Sequence, residues 1–434
     1  MNKSRRGASY IPAFLATIVF LLPFERIPSL HIWHGQVNVR LSQIVALGLM
    51  ILTAGWLVKN FRRFLKTPYL WLTLFLGSYL VSTALALNRS LSIKTYIFTA
   101  FTIFAGMLFS FFVTPENLPK IEKALRISTW IVLTFGFFQY FGDLAGLSTK
   151  WTRLAPNYVK AVFGFPRIQS TALEPLFFAS FLLIPFCVLS AQHLAGKYRH
   201  STLLLLTTLT IFLTVSRGAI YGGVLAVIFL GAALAVNKHL SQESVLRYCS
   251  IIVVAILMVL LMTKLPENSK GLRSSNQAQQ RTQALTSQAL NFNSQPDRSR
   301  NRSLAFDAFK SKPILGIGPG GFDTYAKAHY APYQAATKVA VNNETLEVLA
   351  EGGVVGAILL LAFFVQLFYL GYLALKKVSP ELLPWVYGLM AYLIATAIQY
   401  QSFSTLYIMH IWVATGILLG AVQLTINYNK KAAK

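Results

Sequence analysis

The sequence predicts an all-α integral membrane protein with about twelve transmembrane helices. Three observations carry this. Of 434 residues, 55% are hydrophobic and 12% charged, about half the charged share of an average soluble domain. Apolar runs near the length that spans a bilayer, about 17–25 residues, recur along the chain. Lysine and arginine favour alternate connections between those runs.

In order, the runs are 8–24, 41–58, 69–88, 95–113, 127–145, 171–190, 201–216, 218–236, 249–263, 346–374, 382–399 and 403–426. The first is expected to be a retained span, being too long and too poorly matched to a cleavage site for a leader. With the N-terminus inside, the inner connections hold 19 Lys/Arg and the short outer ones 9. Both termini are therefore expected in the cytoplasm. The expected organisation is a nine-helix transmembrane region over 1–263, an extracytoplasmic segment over 264–345 between helices 9 and 10, and a three-helix transmembrane region over 346–434.

The formal net charge is +25, and inner-loop cations facing anionic lipid account for part of it. They do not account for residues 264–343, where eleven Lys/Arg stand against four acids. A basic outer segment predicts an anionic ligand such as a phosphate or pyrophosphate. Nucleic acid is excluded on that side of a membrane. Within the segment, 274–302 is polar and expected to be mobile or shallowly docked. From Ser303 onward, Leu304, Phe306 and Phe309 predict a short amphipathic helix, followed by a Gly/Pro turn and an aromatic cluster. Cys187 and Cys249 fall inside expected spans and are read as buried small hydrophobes. No histidines have metal-ligand spacing supported by carboxylates, so no metal site is expected. His410, within the last span, is read as a satisfied core histidine.

Several polar groups stand where lipid should exclude them. Arg217, in "TVSRGAIYGG", lies at a tight junction between two long apolar runs, where an ionisable residue is a functional candidate. Arg167 and Glu174, in "FPRIQSTALEPLFF", sit seven residues apart at the mouth of a span, with Pro175 next. Arg298, Arg300 and Arg302 form "RSRNR"; a solvated charge run is the ordinary explanation, and Arg302 is set apart because it opens the ordered half. "GIGPGG" (316–321) satisfies a dinucleotide-type spacing without the preceding strand, so a turn is expected, with Gly318 and Gly320 able to let backbone amides approach a phosphate. In "VNNETLEVLAEGGVVG", Asn343 is a natural helix cap and Glu344 and Glu347 suit the positive helix end. Glu351 needs a partner beyond that, and the following glycines permit close helix packing.

Taken together, "SRGA", "NRSLAFDAFKSKPILGIGPGGF" and "NNETLEVLAEGGVVG" occur in an order that resembles the O-antigen ligase/polymerase superfamily of bacterial membrane glycosyltransferases. The resemblance implies a GT-C-like enzyme in the bacterial inner membrane with its active site facing the periplasm. It implies a glycan donor linked to undecaprenyl pyrophosphate and an acceptor hydroxyl, with neither metal nor other cofactor. It assigns the pyrophosphate to Arg217 and Arg302; beside them, Arg167, Arg300, His329, Asn343, Gly318 and Gly320 are the residues expected around the substrate. Aligned on Leu346, Asn342 occupies the position where ligases carry histidine. Asparagine orients a hydroxyl but cannot take its proton; Glu174, Glu344 and His329 are the alternative bases. The pattern leans toward a surface-polysaccharide polymerase with a lipid-linked acceptor. The alternatives are a ligase acting on lipid A core or protein, and a transporter of an anion or lipid-linked sugar.

Overall fold

The computed structural model describes residues 10–26, 30–32, 37–160, 164–264, 296–336, 338–404 and 406–432. Helix α1 (Ile11–Leu21) is followed by a two-stranded antiparallel hairpin, β1 (Leu30–Ile32) and β2 (Val37–Val39), in which His31 pairs with Asn38. Then come α2 (Leu41–Asn60), α3 (Tyr69–Ala84), α4 (Arg89–Phe112), α5 (Leu118–Leu144) and the short α6 (Thr149–Thr152). Next are α7 (Pro175–Leu194), α8 (Ser201–Leu213), α9 (Arg217–Val236) and α10 (Gln242–Lys264). Helices α11 (Pro296–Ser311) and α12 (Gly321–His329) precede α13 (Glu344–Leu375), α14 (Leu383–Gln399) and α15 (Met409–Ala432).

The expectation of about twelve transmembrane helices is corrected. Among the described residues, seven helices are long and apolar enough to cross a membrane: 41–63, 89–112, 175–194, 217–236, 242–264, 344–375 and 409–427. The other expected spans fail for identifiable reasons. Helices α1, α3 and α8 have 11, 16 and 13 residues, and at 1.5 Å per residue they fall short of a ~30 Å hydrocarbon layer. Helix α8 stops where Val215 adopts a positive φ of 53°. Helix α14, with 17 residues, runs into a 3-10 turn at Tyr400–Ser402. Helix α5 is long, but it carries Lys120, Glu122, Lys123, Arg126 and Asp143. The hairpin is a small departure from an all-α chain. The GT-C-like expectation came with the resemblance, and seven membrane-length helices in place of about twelve do not bear that fold description out.

Burial divides the helices into a centre and a shell. In the most apolar window of α7, 89% of residues are buried, against 17% in that of α10. The exposed side of the shell is itself apolar, with Ile51, Val58, Val236 and Leu261 at 67–80% exposure. An apolar shell around an apolar core is the pattern of a protein solvated by lipid, and the chain is a membrane protein. Cys187 is buried as expected, but Cys249 lies exposed on α10, on the shell side. His410 is buried and contacts Ser180 Oγ at 3.1 Å, as expected of a core histidine.

The centre packs closely. Helices α9 and α14 meet so tightly that a Cβ on Gly222 would stand 2.5 Å from the carbonyl oxygen of Ala395, the small-residue contact that apolar bundles use in lipid. Helix α13 is broken near its start, where Gly353 has φ 63° and ψ −170°. The segment 313–318 fills the break. Val354 N–H donates to Pro313 O at 2.8 Å and Val355 N–H to Ile314 O at 3.2 Å. In return Ile317 N–H donates to Ala350 O at 2.9 Å and Gly318 N–H to Glu351 O at 3.0 Å. The groups freed by the break are thereby satisfied within the protein, as burial demands.

Candidate functional site

Three helix ends and one turn assemble the site. Helix α9 begins at Arg217, directly after the left-handed Val215, with the buried Ser216 as its cap. The first turn of α9 abuts the 3-10 turn: a Cβ on Gly218 would lie 2.6 Å from Ser402 Oγ. The same turn receives Arg302 from α11, whose Nη2 donates to Gln401 O at 2.9 Å. It also receives Asn343, whose Nδ2 donates to Gln401 Oε1 at 3.2 Å and whose backbone N–H donates to Ser404 Oγ at 2.8 Å. Residues 401–404 are thus a hub joining α9, α11 and α13.

Arginines crowd around this hub. Burial, and then the charges of Arg217 and Arg302, push the Arg298 guanidinium below the ordinary arginine range. Arg167 is also lowered, first by burial, with Tyr158 and Glu174 opposing the shift and Arg217 adding to it. Both groups remain cationic, because an arginine has several units to lose before it deprotonates near neutrality. These couplings place Arg167, Arg217, Arg298 and Arg302 within electrostatic reach of one another in a chain. Arg167 is fixed by a 3.0 Å bond from Nε to Thr214 O and by the Tyr158 ring, 5.5 Å away. Arg302 Nε and Ser216 Oγ are among the buried polar atoms with no protein partner, as are Gln399 Oε1 and Tyr400 OH beside the same turn. Clustered cations together with unused donors are the features by which proteins hold anions.

The other expected residues fall in different places. Asn343 caps α13, accepting from Leu346 N–H at 3.0 Å. Asn342 has φ 57°, a left-handed backbone that asparagine tolerates better than most residues; its Nδ2 reaches Ala340 O at 3.3 Å. Glu344 is buried at the start of α13, and Glu174 is exposed at the start of α7. Arg300 turns away from the cluster, with its guanidinium 4.5 Å from the Tyr330 ring. His329 stacks on Tyr325 at 3.9 Å and contacts that residue's carbonyl through Nδ1 at 2.8 Å. Gly318 spends its N–H on Glu351 and is packed on Ala86, while Gly320 is packed on Thr95. The glycine turn thus closes the helix break and docks on α4.

Arg298 and Gln401 were not singled out by sequence. Helix α11 begins at Pro296, inside the stretch 274–302 expected to be mobile or shallowly docked; residues 274–295 of that stretch lie outside the described residues. Once the helix is extended back, 298 and 302 share a face and 300 does not. Gln401 had only a weak signal, the polar "YQSFST" between two apolar runs.

Gln401 also lies at the mouth of a groove of about 510 Å³ between α13, α14 and α15. Glu344, Thr345 and Tyr400 share the mouth, and Val348, Leu360, Phe364, Val365 and Leu393 continue it along the helices. Among the described residues, no three His, Cys, Asp or Glu side chains group so as to hold a metal ion.

A comparison with curated proteins finds no match. Residues 202–361 match the family model described as O-antigen ligase, a stretch that holds Arg217, Arg298, Arg302, Asn342 and Asn343 and leaves Arg167 and Glu174 outside. The matched stretch, a little over a third of the chain, supports placing this region in the O-antigen ligase/polymerase superfamily.

Proposed function

We propose that the protein transfers a glycan from undecaprenyl pyrophosphate to an acceptor hydroxyl at the outer face of the bacterial inner membrane, as a surface-polysaccharide polymerase. The observation that carries this reading is the electrostatic coupling of Arg167, Arg217, Arg298 and Arg302, with Arg302 bonded to Gln401, which lines an apolar groove. A lipid diphosphate has the matching form, a dianionic head on a long apolar tail.

The chemistry follows from that arrangement. The bond between the anomeric carbon and the phosphate oxygen breaks, and the acceptor oxygen bonds to the same carbon. Positive charge develops on the sugar while negative charge collects on the departing pyrophosphate. Guanidinium groups bind phosphate oxygens in pairs and stay charged, and preorganised charge of this kind is worth about 2.7–4 kcal/mol per donor. Arg302 Nε and Ser216 Oγ are the donors left open for that purpose. The acceptor proton needs a base. Asn342 cannot serve, so Glu174, exposed and within the field of Arg167, takes it in this reading. The tail lies in the α13–α14 groove. The arrangement requires residues 264–345 to face the periplasm.

The family description favours a second reading, a ligase acting on lipid A core or protein, while asparagine at position 342 favours the polymerase. Incubating the purified protein with a lipid-linked oligosaccharide separates them. A ladder of products is the polymerase outcome and a single shifted acceptor the ligase outcome. Binding without turnover, even with acceptor supplied, would contradict both and favour transport.

A further inference from the structure

We infer a second phosphate-recognising site at the opposite end of the bundle, suited to the headgroup of an anionic glycerophospholipid. Three central helices fix the geometry. Helix α7 starts beside Glu174, which feels Arg167, and its far end at Gln192 lines a separate cavity of about 360 Å³. Helix α8 ends where Thr214 O receives Arg167, and the residue before its start, His200, lines the cavity. Helix α14 runs from the cavity at Trp385 to the Gln401 turn. With 13 residues in α8 and 20 in α7, the two sites are about 20–30 Å apart, at opposite ends of the bundle. The second cavity therefore belongs to neither the arginine cluster nor its groove.

Its lining is cationic at the mouth and ordered inside. Arg126, Lys197, Arg199 and His200 face Glu122 and Glu381 across it. Glu122 is already engaged, by Arg126 Nη1 at 3.2 Å and by Gln192 Nε2 at 3.2 Å. His200 contacts Arg126, and burial followed by that guanidinium lowers its proton affinity. The imidazole is therefore a neutral acceptor that orients Arg126. Lys197 is held over the entrance by a 2.8 Å bond to Pro380 O, and Arg199 is exposed beside it. The rim thus presents two cations and the exposed carboxylate of Glu381, backed by a third cation inside, and an apolar wall at Trp385 and Leu382. A phosphodiester whose first carbons are apolar fits that distribution, and basic pockets between membrane helices recognise anionic headgroups in this way. By the Lys/Arg bias this is the cytoplasmic end, where anionic lipid is plentiful.

The test uses the full-length protein in detergent, titrated with phosphatidylglycerol, phosphatidylcholine or inorganic phosphate and followed by native mass spectrometry and thermal shift. The expected result is tighter binding of phosphatidylglycerol than of phosphatidylcholine, with Lys197→Gln/Arg199→Gln weakening it about 25-fold, roughly fivefold per cation. Binding of inorganic phosphate with the same dependence on Lys197 and Arg199, and no lipid preference, would leave the site in place and make its source a free anion. If the double variant does not fold, Arg199→Gln alone is expected to lose about fivefold. Equal affinity for the two lipids without phosphate binding, or an unchanged Kd in the variants, would overturn the assignment. Neither readout depends on turnover at the arginine cluster.

Discussion

Two stretches of one sequence segment, 296–302 and 313–321, lie close together and are used in opposite ways. The first brings arginine side chains together at a cost. Arg298 is half-buried and feels the charges of Arg217 and Arg302, an arrangement of like charges that opposes folding. The second spends its backbone on stability, lending carbonyls and N–H groups to a broken helix. Clustered charge that opposes folding marks a site of function, while satisfied backbone marks scaffold.

Substitutions can break this contrast. The largest expected effect is on the scaffold side. Gly318→Val places a side chain at φ 98° and drives its Cβ into Ala86. The strain alone costs about 1–3 kcal/mol, and the yield of folded, extractable protein should collapse. On the site side, Arg302→Ala should lower turnover about 10²–10³-fold with the melting midpoint unchanged within a degree or two. Loss of folded protein there would make Arg302 structural. Glu174→Gln should lower turnover about 100-fold if that carboxylate receives the proton, with donor binding retained. Arg298→Ala sharpens the comparison most, because two signs are expected together: turnover falls about tenfold while thermal stability rises, as like-charge repulsion and a half-buried cation are removed. Arg300→Ala, which frees only a contact with Tyr330, should stay within about twofold of the parent protein by either measure.

Much of this was legible in the sequence, and the parts that were not share a cause. The long apolar runs at 175–194, 217–236 and 344–375 announced themselves by length and composition. Arg217 stood out as a candidate because a cation at a tight junction between two long apolar runs is unusual, although a side chain reaching to lipid headgroups is its ordinary explanation. The helix count failed because hydropathy measures an apolar stretch and not where its helix stops. Val215 and the turn at Tyr400 end helices within apolar sequence. Arg298 was hidden because "RSRNR" reads as a solvated run until the helix register is known. Gln401 and Ser404 carry no charge and act through carbonyl and hydroxyl contacts that only tertiary structure creates. The glycines of "GIGPGG" were legible as a turn, but the helix break they fill lies some thirty-five residues away and has no local signature. Asn343 was read correctly as a cap, and its second bond, to Gln401, had no signal at all.

The central claim is that Arg217 and Arg302 grip one diphosphate. The measurement that tests it most directly is a double-mutant cycle on transfer from a purified lipid-linked oligosaccharide, using Arg217→Ala, Arg302→Ala and their combination, with folding checked by thermal midpoint. Each single variant should lose about 10²–10³-fold in turnover, and the double should lose far less than the product of the two, because both side chains act on the same leaving group. Turnover at the parental rate in either single variant, or losses that multiply independently, would contradict it.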